Sequence, residues 1–183
     1  MIKNIRSHFV VVLIQIHKIV DILHRQMLGI PYLKRSQITA DLFLGGQYNL
    51  VGLKKLKQIG ITAIVNMRLT SIYNEAHYEG FRYLHLPTTD NTPPTLEDLI
   101  KGAEFVDTEI KNKGKVYIHC RQGLGRGPSM AIAYLLKLGT TYDDAFKIIK
   151  KVRSFINPRP MQITRLKELE MYYKNEDSEK LLS

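Results

Sequence analysis

The sequence predicts an α/β fold: a mainly parallel central sheet flanked by helices, with one extra helix at the N-terminus. Four short apolar runs suited to buried strands, at residues 38–44, 61–67, 82–86 and 115–119, alternate with segments whose apolar residues recur every three or four positions. No internal repeat, low-complexity linker or obvious second domain interrupts that alternation. The 183 residues are enough for one hydrophobic core and one appended element.

In chain order, Ile2, Ile5, Phe9, Val12, Ile16, Ile19, Leu23 and Met27 recur at helical spacing and predict one long helix over 2–27, ended by Gly29-Ile30-Pro31. The strand at 38–44 stops at Gly45-Gly46. A helix over 50–59 follows, with Gly60 as its C-terminal cap. After the runs at 61–67 and 82–86, Thr95 with Asp98 three residues on approximates a capping box and opens a helix to about residue 113. Beyond the strand at 115–119, Pro128 opens a helix that Gly139 stops. Thr141 and Asp144 cap another, to about residue 154, and a last helix spans 161–173. Residues 175–183, mixed in charge, read as a solvated polar tail.

Composition narrows the function. The apolar fraction of 44% and the charged fraction of 24% are those of an ordinary globular domain. No run of about 20 apolar residues is present, which argues against a simple membrane span. The net charge of +10 favours anionic partners: phosphate esters, acidic lipid surfaces or nucleic acid. The one cysteine, Cys120, has no second cysteine with which to form a disulfide or build a zinc site. Taken alone it would be a small buried hydrophobe. Its neighbours say otherwise.

The stretch Val116-Tyr-Ile-His-Cys-Arg-Gln-Gly-Leu-Gly-Arg-Gly-Pro-Ser129 ends a strand at a cysteine, runs through a glycine-rich loop and sets Arg126 at the mouth of a helix. Gly123, Gly125 and Gly127 let the backbone curl so that N–H groups of the loop, which also contains Arg121, Gln122 and Leu124, point at one anion. The following helix aims its positive end at the same place, and Pro128 suits a first helical position. The Arg126 guanidinium can hold two phosphate oxygens at once. This positive environment favours a thiolate on Cys120, a nucleophile for in-line attack on phosphorus. His119 is expected to orient the loop or the cysteine by hydrogen bonding. A glycine triplet alone would be a plain turn. The strand, the His-Cys pair, five residues, the arginine and the helix start coincide here.

His119-Cys120-x5-Arg126 resembles the active-site loop of the protein tyrosine phosphatase superfamily, and the surrounding pattern is most similar to its small dual-specificity members. The resemblance covers about residues 38–173. It implies a protein tyrosine phosphatase-like sheet and hydrolysis of phosphomonoesters through a cysteinyl-phosphate, with no cofactor and no metal. Attack by Cys120 leaves an oxyanion that needs a proton, so a carboxylic acid on a loop is required. Asp90, in Leu86-Pro-Thr-Thr-Asp90-Asn-Thr-Pro-Pro, stands where the family carries its general acid. The plainer reading makes Asp90 a turn former. Asp98 is a rival acid whose expected work is capping. Gln162 matches a family glutamine that helps place water in the second step, and it could equally cap or face solvent. The sequence departs from the family pattern after the arginine. A Ser or Thr usual there is Gly127, with Ser129 two residues further on, so either Ser129 compensates or the phosphoenzyme breaks down slowly; slow breakdown is the expectation.

The implied domains are a basic apolar helix at 1–30, a dual-specificity phosphatase-like catalytic domain at 31–174 and the tail at 175–183. Arg153-Ser-Phe-Ile-Asn-Pro-Arg-Pro-Met-Gln162 is similar to the mitochondrial-type lipid phosphatases, which act on phosphatidylglycerophosphate. The implied substrate is therefore a phosphoprotein or an anionic phospholipid headgroup. Arg121 and Arg159 would add charge around it. The first helix, with Lys3, Arg6, Lys18 and Arg25 against Asp21, suits a membrane interface. It equally suits packing on the domain or on a second copy, and its acid-free start fits a mitochondrial targeting segment. A cytoplasmic or peripheral-membrane location is expected. Two alternatives stand beside this reading: an RNA 5′-triphosphatase of the same superfamily and a phosphate-binding pseudophosphatase. No RNA-binding motif supports the first, so no nucleic acid partner is expected. Cys120, Arg126 and Asp90 are all present, which speaks against the second.

Overall fold

A computed structural model describes residues 2–182, with side chains for residues 8–176 and 178. Four strands, β1 (Leu42–Gly45), β2 (Ala63–Asn66), β3 (Arg82–His85) and β4 (Val116–His119), form one parallel sheet in the order β1-β4-β2-β3. The helices are α1 (Ile2–Leu28), α2 (Leu50–Gln58), α3 (Leu96–Lys111), α4 (Arg126–Lys137), α5 (Tyr142–Val152) and α6 (Pro160–Leu182).

Strand alternation places one apolar set on each face of the sheet, as a doubly covered parallel sheet requires. Leu42, Leu44, Ala63, Val65, Val116 and Ile118 join the larger core with α3, α4, α5 and α6. Phe43, Ile64 and Tyr117 face the other way and pack with Leu53 and Leu56 of α2. From Arg126 to Leu136 every residue of α4 is buried, and α4 touches α3, α5 and α6. That enclosure fixes the end of the helix against which the cysteine loop is built.

Three boundaries differ from the sequence reading. The first strand begins at Leu42, because Thr39 Oγ1 accepts from the N–H groups of Asp41 and Leu42 and turns the chain there. Helix α4 begins at Arg126, two residues before Pro128; the Ser129 N–H already donates to the Gly125 carbonyl at 2.8 Å. Pro128 still falls among the four leading positions that have no intrahelical acceptor, so its missing N–H removes nothing. The expected tail at 175–183 is helical through Leu182, continuing α6. Lys174 pairs with Glu170, and the Ser178 hydroxyl donates to the Lys174 carbonyl, bonds along one helix face that carry α6 past Tyr173. The side chains of Asp177, Glu179 and Lys180 lie outside the described residues, as do those of Ile2, Lys3, Ile5 and Arg6.

Helix α1 packs with its polar side inward. Asp21 is buried, and His17, His24 and Arg25 are half-buried against the domain. Phe9, Val12, Ile16, Ile19, Leu23 and Met27, the apolar positions that predict the helix, are exposed. No helix among the described residues is long and apolar enough to cross a membrane.

Candidate active site

The loop between β4 and α4 builds the floor of a cavity of about 210 Å³ lined by Asp90, Asn91, Cys120, Arg121, Gln122, Leu124, Gly125, Arg126, Asn157, Arg159 and Gln162. Cys120 follows β4 directly and is 3% exposed. Its Sγ accepts from the Gly123 N–H at 3.2 Å, which aims one loop amide at the sulfur. Gly123 has φ +68°, and a Cβ there would meet the Gly45 carbonyl oxygen at 2.5 Å, so the curl needs glycine. At Gly125 a Cβ would reach 2.6 Å from Gln162 Oε1. The Leu124 carbonyl accepts from the Asn157 N–H at 2.7 Å, tying the loop to the chain after α5.

Arg126, the first residue of α4, is almost wholly buried. Its Nη1 donates to the Thr88 carbonyl at 2.7 Å and its Nη2 to Asp90 Oδ1 at 2.7 Å. Asp90 is thus brought to the cavity from the loop after β3, more exposed than its partner. The same loop is held from α6. Gln162, 1% exposed, donates through Nε2 to the Thr92 carbonyl and accepts through Oε1 from the Arg159 N–H, both at 2.9 Å. Arg159 Nε donates to Asn91 Oδ1 at 3.2 Å. Thr95 caps α3, its Oγ1 accepting from the Asp98 N–H at 3.0 Å, and Asp98 is not among the residues that line the cavity.

Of the two residues expected to support the cysteine, His119 reaches its carbonyl by a hydrogen bond and Ser129 does not reach its sulfur. The His119 ring makes one long contact, Nδ1 to the Cys120 carbonyl at 3.4 Å, while its Nε2 has no partner among the described residues. Packing against Tyr48 and Tyr117 holds the ring, with centroids 4.9 and 6.0 Å away. Burial pushes the His119 imidazole down to about 3, so it stays neutral. Ser129 Oγ donates to the Gly125 carbonyl at 3.0 Å. Its hydrogen is committed there and not to the cysteine sulfur. Gly127 does face the sulfur: a Cβ on it would lie 3.6 Å from Cys120 Sγ.

The sequence reading missed Arg153 and Asp21. Arg153 is fully buried beneath the loop, donating from Nε to the Gly123 carbonyl at 3.0 Å and from Nη2 to the Gln122 carbonyl at 2.9 Å. Asp21 of α1 accepts from both of its terminal nitrogens, at 3.2 and 2.9 Å. One signal was available: Asp21 is the single acid in a basic helix.

Residues 42–172, and with them the whole cavity, match the family model described as the catalytic domain of dual specificity phosphatases. The chain belongs to that family. Human dual specificity protein phosphatase 1 is 33% identical to it over 126 residues, covering 67% of this chain and 33% of the relative. The chain therefore spans about a third of the length of the curated relatives it matches. Among solved structures, PTPMT1 is similar at 25% identity with a TM-score of 0.74, over 79% of this chain and 98% of that one. PTPMT1 in complex with PI(5)P gives 26% and 0.73, over 76% and 96%. The dual specificity phosphatase domain begins after α1, so the contacts from Asp21 and Arg25 come to it from outside the matched region.

Proposed function

We propose that this dual specificity phosphatase domain hydrolyses phosphomonoesters through a cysteinyl-phosphate, and that its substrate is a phospholipid headgroup such as that of phosphatidylglycerophosphate. The observation that carries the chemistry is the convergence of Cys120 Sγ, the buried Arg126 guanidinium and Asp90 in one cavity. Cys120 attacks phosphorus, and the ester oxygen leaves with a proton from Asp90. Arg126 and the loop amides hold the three non-bridging oxygens. Asp90, now a carboxylate, takes a proton from the water that hydrolyses the phosphocysteine, and the thiolate returns. In this reading residues 31–174 hold the reacting groups.

The lipid assignment rests on α1. Its apolar side faces outward and its one acid is consumed inward, which leaves an exposed apolar helix face on a chain of net charge +10, a combination suited to an anionic interface. A phosphoprotein is the second reading, favoured by the identity to human dual specificity protein phosphatase 1. Phosphate release from phosphatidylglycerophosphate vesicles and from a phosphotyrosine peptide, with Cys120→Ser as the blank, separates the two. A large preference for vesicles that disappears on Phe9→Asp/Ile16→Asp is the expected result. A preference for the peptide would make the protein a phosphoprotein phosphatase, and release no greater than the blank would remove the enzymatic reading.

A further inference from the structure

Three successive carbonyls of the phosphate loop point away from the cavity, and each is held by a guanidinium. The Arg121 carbonyl accepts from Arg25 Nη1 of α1 at 2.6 Å. The Gln122 and Gly123 carbonyls accept from Arg153, itself ion-paired to Asp21 of α1. A trans peptide is planar, with its C=O and N–H on opposite sides. Fixing the carbonyls of residues 121, 122 and 123 therefore fixes the directions of the N–H groups of 122, 123 and 124. One consequence is visible: the Gly123 N–H points inward at Cys120 Sγ.

We propose that Asp21 and Arg25 of α1 are positioning residues for the phosphate loop, Asp21 acting through Arg153 and Arg25 directly. Arg153 is 0% exposed at its side chain and Asp21 5%, so without the carboxylate the guanidinium would be an uncompensated buried charge. It would then turn toward water or another acceptor, and the carbonyls of Gln122 and Gly123 would lose their donors. Three further contacts keep α1 in place for this work. The Tyr32 N–H donates to Asp21 Oδ1 at 3.2 Å, Arg35 Nη2 donates to His17 Nε2 at 2.6 Å, and His17 Nδ1 pairs with Ser154 Oγ at 3.0 Å. His17, Asp21 and Arg25 are spaced four apart and form one stripe along the inward side of the helix. The loop that binds the oxyanion is thus held open by a helix that the family domain does not include.

The inference rests on the phosphate-loop reading, and the experiment distinguishes the two. Orthovanadate inhibition and the kcat and KM for a small aryl phosphate are measured on the full chain, on Asp21→Asn and on Arg25→Ala. An aryl phosphate is too small to touch the outer side of α1. Asp21→Asn is expected to weaken vanadate about tenfold, and Arg25→Ala about threefold, with kcat falling alongside. Arg25 is partly exposed, so its variant reports even where Asp21→Asn does not fold. A lowered melting temperature with unchanged vanadate affinity in both variants would make the contacts merely structural and overturn the proposal. No vanadate binding by the unsubstituted chain would overturn the phosphate-loop reading and this inference with it.

Discussion

Arg126 Nη2 and Asp90 Oδ1 meet at 2.7 Å, although the guanidinium side chain is 5% exposed and the carboxylate 59%. The buried partner is fixed by α4 and the exposed one rides a loop, so the ion pair sets where the loop rests without locking it. In the proposed mechanism a phosphate held by Arg126 would compete for the same nitrogen and free Asp90 to act as general acid at the ester oxygen.

From this pair it follows that Asp90→Asn discriminates between leaving groups. For a phenolic or alkyl ester the loss in kcat/KM, which reports the step that expels the alcohol, is expected to be about 10²-fold or more, and for an activated aryl ester far smaller. A series of aryl phosphates of graded leaving-group acidity checks this. Equal loss across the series would remove Asp90 as the acid.

Gly127→Ser is expected to speed the second step. A Cβ at this position would lie 3.6 Å from Cys120 Sγ, and its tightest contact, 3.1 Å to Leu44 Cδ1, requires the buried Leu44 side chain to give by a few tenths of an ångström for a hydroxymethyl group to sit beside the sulfur. Rapid-quench traces of the unsubstituted protein should show a burst of released alcohol, and the variant a smaller burst with a faster steady state. A trace without a burst in the parent would place the slow step elsewhere.

Gln162→Leu should loosen the Asp90 loop while leaving the nucleophile intact. It removes the donor to the Thr92 carbonyl and the acceptor for the Arg159 N–H. Hydrogen exchange over residues 88–95 should speed up and kcat should fall about tenfold, with Cys120 alkylation unchanged. Slower alkylation would mean that Gln162 supports the phosphate loop instead.

His119 should make the protein acid-sensitive. Folded, its imidazole is held down to about 3 by burial; unfolded, it titrates near 6.5. Below 6.5 the unfolded chain binds a proton that the folded one refuses. Stability therefore falls as pH drops from 6.5 toward 3. Between pH 7 and 5 this one group contributes a loss on the order of 2 kcal/mol. Urea titrations of the parent and of His119→Asn should show that increment only in the parent, and equal pH slopes would refute the assignment.

Sheet and loop were legible from sequence because their signals are local. The apolar runs that formed β2, β3 and β4 lie within one or two residues of the observed strands, and Cys120 and Arg126 are neighbours in one short motif. Asp90 was reachable because it follows a strand in a turn-forming segment, at the place where the resembling family carries its acid. The Asp21–Arg153 pair was not, since it joins residues 132 apart and nothing near either one marks the other. The orientation of α1 was equally hidden. Its apolar period predicts the helix correctly, but the period says nothing about which side meets the protein. Here His17, Asp21, His24 and Arg25, each with a specific partner, outweigh the ordinary burial of the apolar face.

The place of β4 in the sheet also bears on how the enzyme comes into being. β4 lies between β1 and β2, so Leu42 and Ala63 each pair with Val116 from distant parts of the chain. Such pairings must close large loops before any contact rewards them, and they slow folding. Cys120 follows β4 and Arg126 opens the enclosed α4, so the proposed nucleophile and anion cradle would take shape only as the middle of the sheet closes. Recovery of turnover during refolding is then a clock for that central closure. A chain whose helices have already formed but whose sheet is still open is catalytically silent.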